Sequence, residues 1–184
     1  MKKQPQVTEQ TKANLRNAFW SLYSQKPIEK ITIKEITDLA GYNRGTFYLY
    51  YKDVYDILNQ IEEELLDLVC QLLSDATTDG TLDLSHQMTS LIEMSHTYSN
   101  YVSVLISDQG DPQFTARMKN IIRPVINEVL FSSKNLQYTE AEKIYLSEFY
   151  LSGILGVMSE WLKDPQMSIE EMLNFLLPVL FNSN

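Results

Sequence analysis

Apolar residues recur at helical spacing along almost the whole chain. The first run predicts an amphipathic helix from about Thr8 to Gln25, which Pro27 ends. A longer run follows Asp53 and predicts a long helix with apolar positions at Val54, Leu58, Ile61, Leu65, Leu68 and Leu72. No stretch shows the sustained alternation of a strand bounded by hairpin turns. The pattern therefore predicts an all-α fold of about nine helices.

Two short helices are predicted between these long ones. Thr32 and Glu35 have the spacing of a capping box, and Gly41 is a natural left-handed stop, which together give a second helix of about two turns. A third helix follows, from Asn43 to about Tyr51. Two short helices joined by a tight glycine turn are typical of a helix-turn-helix. We therefore expect the first three helices to form a helix-turn-helix head.

Later segments begin with similar start signals. Residues 84–106 predict one long helix or two abutting helices. Further starts are indicated by Asp111 with Pro112, by the capping box of Thr139 and Glu142, and by the capping box of Ser168 and Glu171. Pro124 lies well inside the segment after Pro112, so we expect a kink or a break there.

The charge is distributed unevenly along the chain. The net charge is −9 over 184 residues, yet residues 1–54 carry nine basic and five acidic side chains, a balance of +4. The remainder carries six basic and nineteen acidic side chains, a balance of −13. Such asymmetry suggests that one end meets a polyanion. We expect two domains, a basic helix-turn-helix head (1–53) suited to DNA and an acidic helical body (54–184).

Several classes of protein find no support in the sequence. No apolar run approaches the roughly 18 residues of a membrane helix, and no secretory signal is present, so a cytoplasmic protein is expected. His86 and His96 lack metal-ligand spacing, and the sequence predicts no metal or other cofactor. Glycine loops for phosphates, nucleophile elbows and Cys/His pairs are missing, so no enzyme is predicted. The single cysteine, Cys70, is interpreted as a buried thiol, and Glu62–Glu64 as a solvated helix face.

The third predicted helix has two distinct faces. Phe47 and Tyr51 lie one turn apart and share the side expected to pack on the core. The opposite face holds Tyr42, Gly45 and Leu49, with Thr46, Tyr48 and Tyr50 on its flanks. This outer face would enter a major groove.

Chemistry suggests a role for individual residues of the outer face. Arg44 suits a guanine edge or a phosphate, and Leu49 could pack on a thymine methyl group. Gly45 allows close approach of the helix backbone. Thr32, at a helix N-terminus, and Lys52 suit phosphates.

The segment TIKEITDLAGYNRGTFYLYYKD, followed by Leu58, resembles the DNA-binding signature of the TetR family of repressors. The close resemblance covers about Leu15 to Leu65. It implies DNA contacts at Thr32, Tyr42, Asn43, Arg44, Gly45, Thr46, Tyr48, Tyr50 and Lys52, to which the outer face adds Leu49. Three residues depart from the family pattern: Tyr42 replaces a small aliphatic residue, Leu49 a polar or basic one, and Tyr51 a phenylalanine.

The resemblance also implies a function: a homodimeric, ligand-responsive regulator, most often a repressor, released from a palindromic operator by a small-molecule inducer. By the same resemblance the last two helices form the dimer interface, with candidates Phe149, Ser152, Gly153, Gly156, Trp161, Leu173 and Leu177.

The body is rich in methionine and aromatic residues. Such residues are most often plain core, but helix-lined cavities also bind ligands. The candidate ligand-pocket residues are Met88, Met94, His96, Tyr98, Tyr101, Phe114, Met118, Tyr145 and Tyr150. An alternative function stays open, because some relatives of the family act as coactivators or adaptors that bind a protein partner instead of DNA.

Overall fold

The computed structural model describes residues 5–78, 81–82, 88–107, 110–131 and 138–181. These residues form eight α-helices: α1 (Pro5–Tyr23), α2 (Ile33–Ala40), α3 (Arg44–Tyr48), α4 (Val54–Ala76), α5 (Met88–Leu105), α6 (Pro112–Phe131), α7 (Glu140–Lys163) and α8 (Ile169–Phe181). A short 3-10 turn spans Ile28–Lys30, and a two-residue antiparallel pair joins β1 (Thr77–Thr78) to β2 (Thr81–Leu82). The all-α prediction is confirmed, since strands of two residues are too short to alternate.

The predicted starts of α4, α6, α7 and α8 are confirmed. Asp53 Oδ1 accepts hydrogen bonds from the N–H groups of Tyr55 and Asp56 at the start of α4. Asp111 Oδ1 accepts from the Gln113 N–H at the start of α6. Both later capping boxes form, that of Thr139 with Glu142 before α7 and that of Ser168 with Glu171 before α8.

Two predicted features of the helices differ from the structure. The third helix was expected to reach Tyr51, but α3 ends at Tyr48, where the Leu49 N–H donates to Thr46 O at 3.3 Å in a tighter turn. A break at Pro124 was wrong, because α6 runs through this proline from Pro112 to Phe131. A proline removes one hydrogen bond, which the packing of a long helix can tolerate.

The chain divides within α4 into two compact units, Met1–Glu64 and Leu65–Asn184. The functional division predicted after Asp53 stays a prediction. The first unit, hereafter the head, has a core of buried apolar residues from each of its helices: Leu15, Phe19, Tyr23, Ile36, Phe47, Tyr51, Ile57, Leu58 and Ile61. The Phe19 and Tyr23 rings stack with centroids 5.5 Å apart.

The second unit, hereafter the body, has its own core. Its buried apolar residues include Leu105, Phe114, Met118, Ile126, Leu151, Ile169 and Met172. α7 packs against α5 and α6, and α8 packs against α5. Ser147 on α7 is buried and bonds Asn127 on α6, which satisfies a polar group inside this core.

Two interpretations of single side chains were wrong. Cys70 is exposed, because it lies beside the apolar stripe of α4 and not on it. Glu62 is 1% exposed, so Glu62–Glu64 is not one solvated face. Glu64, two residues on, forms an ion pair with Arg16 at 2.6 Å. None of the described helices combines the length and apolar content needed to cross a membrane.

Candidate nucleic-acid interface

The start of α2 carries the predicted capping box. The Thr32 hydroxyl accepts from the Glu35 N–H at 3.3 Å, and the Glu35 carboxylate accepts from the Thr32 N–H at 3.0 Å. Lys26 donates to the same carboxylate at 2.6 Å. The hydrogen bond from Lys26, followed by those from Thr32, lowers the pKa of Glu35 from 4.5 to about 2. Thr32, the candidate phosphate contact, is thus exposed but already engaged with Glu35.

The Glu35 carboxylate makes the stability of the head depend on pH. Because its pKa is lower in the folded chain, the ionised group stabilises the fold above pH 4.5, and this stabilisation is lost as the pH falls towards 2. Glu35→Gln should therefore be less stable than the wild type at about pH 6, with a gap that shrinks towards about pH 3. Urea unfolding followed by Trp20 fluorescence measures this difference in the free energy of unfolding. Trp161 is replaced by Phe both in the wild type and in Glu35→Gln, so that Trp20 is the remaining tryptophan. An equal gap at both pH values would contradict this account.

The turn between α2 and α3 is set by Gly41. This glycine has φ +75°, in the left-handed region where a side chain is strained. Its N–H donates to Asp38 O, and the following Tyr42 N–H donates to Thr37 O at 2.9 Å. These bonds satisfy carbonyl groups at the end of α2 and direct the chain into α3. The predicted left-handed stop is confirmed.

α3 begins with a cap that the sequence analysis did not identify. Asn43 Oδ1 accepts from the Thr46 N–H at 2.9 Å and from the Thr46 hydroxyl at 3.3 Å. Both residues were singled out only as DNA contacts, although asparagine directly before a helix is a recognisable N-cap signal. A Cβ on Gly45 would lie 3.1 Å from the same Oδ1 atom. Glycine therefore leaves the cap undisturbed, in addition to permitting close approach of a partner.

Two aromatic residues hold α3 against the head, as predicted. Phe47 is 0% exposed and Tyr51 is 3% exposed, with ring centroids 5.5 Å apart. Burial raises the pKa of Tyr51 to about 12. With these rings inward, Tyr48 and Leu49 point outward and are 58% and 63% exposed.

The candidate DNA contacts are accessible to differing degrees. Seven are exposed, namely Thr32, Asn43, Arg44, Gly45, Tyr48, Leu49 and Lys52, and three are half-buried, namely Tyr42, Thr46 and Tyr50. The Lys52 N–H donates to Asp56 Oδ2 at 2.8 Å, which fixes the backbone where α4 begins. All except Thr32 lie in one stretch from the α2–α3 turn to the start of α4.

Tyr42 has a partner on α1 that the sequence analysis missed. Asn14 Nδ2 donates to the Tyr42 hydroxyl oxygen at 3.1 Å, and Gln10 Nε2 donates to Asn14 Oδ1 at 2.9 Å. Asn14 and Tyr42 are 28 positions apart, so no local pattern could have joined them.

The candidate dimer residues on α7 lie on an exposed face. Phe149 is 73% exposed, and Ser152, Gly153 and Gly156 are also exposed. A Cβ on either glycine would meet no described atom within 4 Å. These glycines are therefore not required by contacts of the described chain. Tyr145, which was assigned to the ligand pocket, lies one turn before Phe149 and is 75% exposed.

The remaining dimer candidates differ in their surroundings. Trp161 is half-buried, and its indole N–H donates to Met167 O at 2.8 Å, which joins the end of α7 to the turn before α8. Leu173 is half-buried on α8, while the side chain of Leu177 lies outside the described residues. Phe175 on the same helix was not among the candidates and is 63% exposed.

A charged cluster joins α6 to α7 beside Phe149. Lys119 and Arg123 both donate to the Glu148 carboxylate, Arg123 at 3.2 Å. Ser152 accepts from Lys119 at 3.0 Å and donates to Glu148 at 3.1 Å. The hydrogen bond from Lys119, then that from Arg123, lowers the pKa of Glu148 to about 2. Ser152 is therefore held in place at the edge of the exposed face.

The candidate ligand residues are dispersed over the body. Phe114 and Met118 are buried in its core, Tyr101 and Tyr150 are half-buried, and His96 and Tyr145 are exposed. Met94 and Tyr98 line a groove of about 370 Å³ between α4 and α5, together with Leu68, Gln71, Leu72, Asp75, Ser90, Glu93 and Thr97. The side chain of Met88 lies outside the described residues, as does His86. In the described part of the chain, no three His, Cys, Asp or Glu side chains cluster as metal ligands would.

A three-helix head that presents the outer face of a short, capped α3 has the architecture of a helix-turn-helix domain. Comparison with known proteins agrees with this architecture. Residues 82–182 match a TetR family described as "Transcriptional regulator C-terminal region", which is more than half of the chain. The chain therefore belongs to the TetR family of transcriptional regulators.

Relatives of known sequence or structure cover nearly the whole chain. YxbF, an HTH-type transcriptional regulator of Bacillus subtilis (strain 168), is 22% identical over 172 residues, 91% of this chain. The match covers 44% of YxbF, so the chain spans less than half the length of this relative. A TetR transcriptional regulator from Streptococcus agalactiae is 23% identical, with TM-score 0.65 and 96% of each chain covered. The fatty acid degradation regulator FadR from Bacillus halodurans is 15% identical, with TM-score 0.62, 100% of this chain and 98% of that chain covered.

Proposed function

We propose that this chain is a ligand-responsive repressor that binds a palindromic operator as a homodimer. One observation carries the proposal: Phe47 and Tyr51 bury one side of α3, and Arg44, Tyr48 and Leu49 stand exposed on the rest. A regulator of this kind acts where chromosomal DNA is, so the cytoplasm is the proposed location.

Each subunit would place α3 in a major groove of the operator. Two half-sites would lie about one helical turn apart, roughly 34–36 Å, or a multiple of that distance. Arg44 would bind the edge of a guanine, and Leu49 would contact the methyl group of a thymine. Lys52 and Thr32 would contact phosphates, which fix orientation but carry no sequence information.

Arg44→Ala is expected to weaken operator binding by about 1–3 kcal/mol, roughly 5- to 140-fold, and to relax base preference at one position. Arg44 is exposed on the first turn of α3, so the truncation should leave the fold intact. The measurement is a gel-shift titration against the operator and its single-base variants. Arg44→Lys is the matched control, because it keeps the charge but loses the two-pronged geometry. Unchanged affinity of Arg44→Ala would show that Arg44 does not contact a base.

The dimer would form through α7 and α8. Phe149, Gly153 and Gly156 recur at helical spacing on the exposed face of α7, and Phe175 adds exposed apolar area on α8. Exposed apolar surface of this kind marks an interaction site, and glycines without neighbours allow a second helix to approach closely. The cluster of Lys119, Arg123 and Glu148 would border this interface.

A small-molecule inducer would bind the body. We propose the groove between α4 and α5 as the site, with Met94 and Tyr98 as apolar contacts. Among the lining residues, Asp75 and Glu93 are the ionisable side chains other than tyrosine, and they disfavour an anionic ligand. The inducer would shift the equilibrium between DNA-binding and released conformers by its difference in affinity for the two, typically 1–3 kcal/mol.

A further inference from the structure

We infer that Asn14 and Gln10 of α1 orient Tyr42 so that its hydroxyl donates a hydrogen bond to a DNA phosphate. The inference rests on the proposed function, because it needs DNA at the head. It makes α1 part of the DNA-binding apparatus and assigns Asn14 and Gln10 as positioning residues. Neither residue belongs to the helix-turn-helix itself, which begins at α2.

The two hydrogen bonds that link Gln10, Asn14 and Tyr42 have defined donors and acceptors. Gln10 Nε2 donates to Asn14 Oδ1 at 2.9 Å, so the oxygen of the Asn14 amide is turned towards Gln10. The amide nitrogen then faces the other way and donates to the Tyr42 hydroxyl oxygen at 3.1 Å. Gln10 and Asn14 are one turn apart on α1, so both side chains lie on the same face.

The Tyr42 hydroxyl can still donate one hydrogen bond after it has accepted the bond from Asn14. A tyrosine hydroxyl has one hydrogen to donate and can also accept. The bond from Asn14 uses the oxygen as acceptor, so it does not consume the hydrogen. Donation into the oxygen also polarises the O–H bond and makes it a better donor. A phosphate oxygen is the acceptor that DNA offers most abundantly to such a group.

The position of Tyr42 places this donor at the reading helix. Tyr42 lies between Gly41, which turns the chain, and Asn43, which caps α3. Its backbone is anchored through the Tyr42 N–H, which donates to Thr37 O at 2.9 Å, and its ring is half-buried. Asn14 holds the hydroxyl at the other end of the side chain.

Tyr42→Phe tests the donor directly because it removes one oxygen atom. Binding should weaken about tenfold, both for the palindrome recovered by selection from random duplexes and for a shuffled duplex of equal length. The slope of affinity against salt should not change, since a neutral hydroxyl releases no counterion. Lys52→Ala is the control, and it should lower that slope by about one. Wild-type affinity in Tyr42→Phe would overturn the inference.

Asn14→Asp tests the direction of the hydrogen bond. An aspartate can only accept, so Tyr42 would donate to it and lose its hydrogen for the phosphate. The link between α1 and the turn would persist, so a purely structural role predicts binding like the wild type. We expect binding at least as weak as in Tyr42→Phe, with unchanged urea unfolding of the head.

The added charge of Asn14→Asp is controlled by a double-mutant cycle. In the Tyr42→Phe background, the loss of duplex affinity caused by Asn14→Asp reports the cost of the charge alone. The loss of affinity that Asn14→Asp causes in the wild-type background should be larger. Equal losses in both backgrounds would overturn the role of Asn14. Gln10→Ala should give a smaller loss, because it only frees the Asn14 amide to turn. A wild-type chain that retains no duplex would contradict the proposed function itself, and with it this inference.

Discussion

Replacing Phe47 with alanine is expected to destabilise the head by about 3–5 kcal/mol. Phe47 is 0% exposed, and α3 has only five residues, so the helix depends on this ring for its position. Trp20 lies in the head and Trp161 in the body, and they are the two tryptophans of the chain. With Trp161 replaced by Phe, Trp20 fluorescence during urea unfolding reports the head alone.

Two variants serve as controls for Phe47→Ala. Tyr48→Ala removes a neighbouring ring that is 58% exposed, so it should change the stability of the head by much less. Phe114→Ala empties an equally buried site in the body and, in the same Trp161→Phe background, should leave the Trp20 signal of the head unchanged. A head equally stable with Phe47→Ala and Tyr48→Ala would contradict the assignment of Phe47 as the anchor of α3.

Phe149→Glu is expected to convert the proposed dimer into a monomer. Phe149 is 73% exposed on the face of α7 that also carries Gly153 and Gly156. A central aromatic ring in an interface contributes about 2 kcal/mol or more, and a two-fold interface contains each residue twice. A buried, unpaired carboxylate adds its own desolvation cost. Sedimentation equilibrium of the wild type and the variant measures the change in mass.

Ile144→Glu is the matched control for Phe149→Glu. Ile144 is 64% exposed on α7, but it lies about 140° around the helix from Phe149. It should therefore keep the mass of the wild type. A monomer caused equally by both substitutions would indicate general damage to the body, and a dimer that survives Phe149→Glu would place the interface elsewhere.

Local signals in the sequence were sufficient for much of the fold. The capping boxes at Thr32, Thr139 and Ser168 and the left-handed turn at Gly41 depend on residues at most three positions apart. Spacing also identified Phe47 and Tyr51 as the inner side of α3. Each of these features follows from backbone chemistry or helical periodicity, which a sequence displays directly.

Other features required the tertiary structure. The contact of Asn14 with Tyr42 joins residues 28 positions apart, and the burial of Glu62 depends on how α4 packs. The run of α6 through Pro124 shows packing overriding a local breaking signal. The candidate ligand residues were chosen by residue type alone, and type does not tell a core position such as Phe114 from a groove position such as Tyr98.

Affinity selection of random duplexes by the full chain, at physiological ionic strength, tests the central claim most directly. The proposed function predicts recovery of a palindrome whose half-sites lie one helical turn, about 10 base pairs, or a multiple of it apart. The Arg44→Ala variant should recover this palindrome poorly in the same selection. No enrichment over non-specific duplex would contradict the repressor assignment and would favour an adaptor whose exposed Leu49 surface meets a protein.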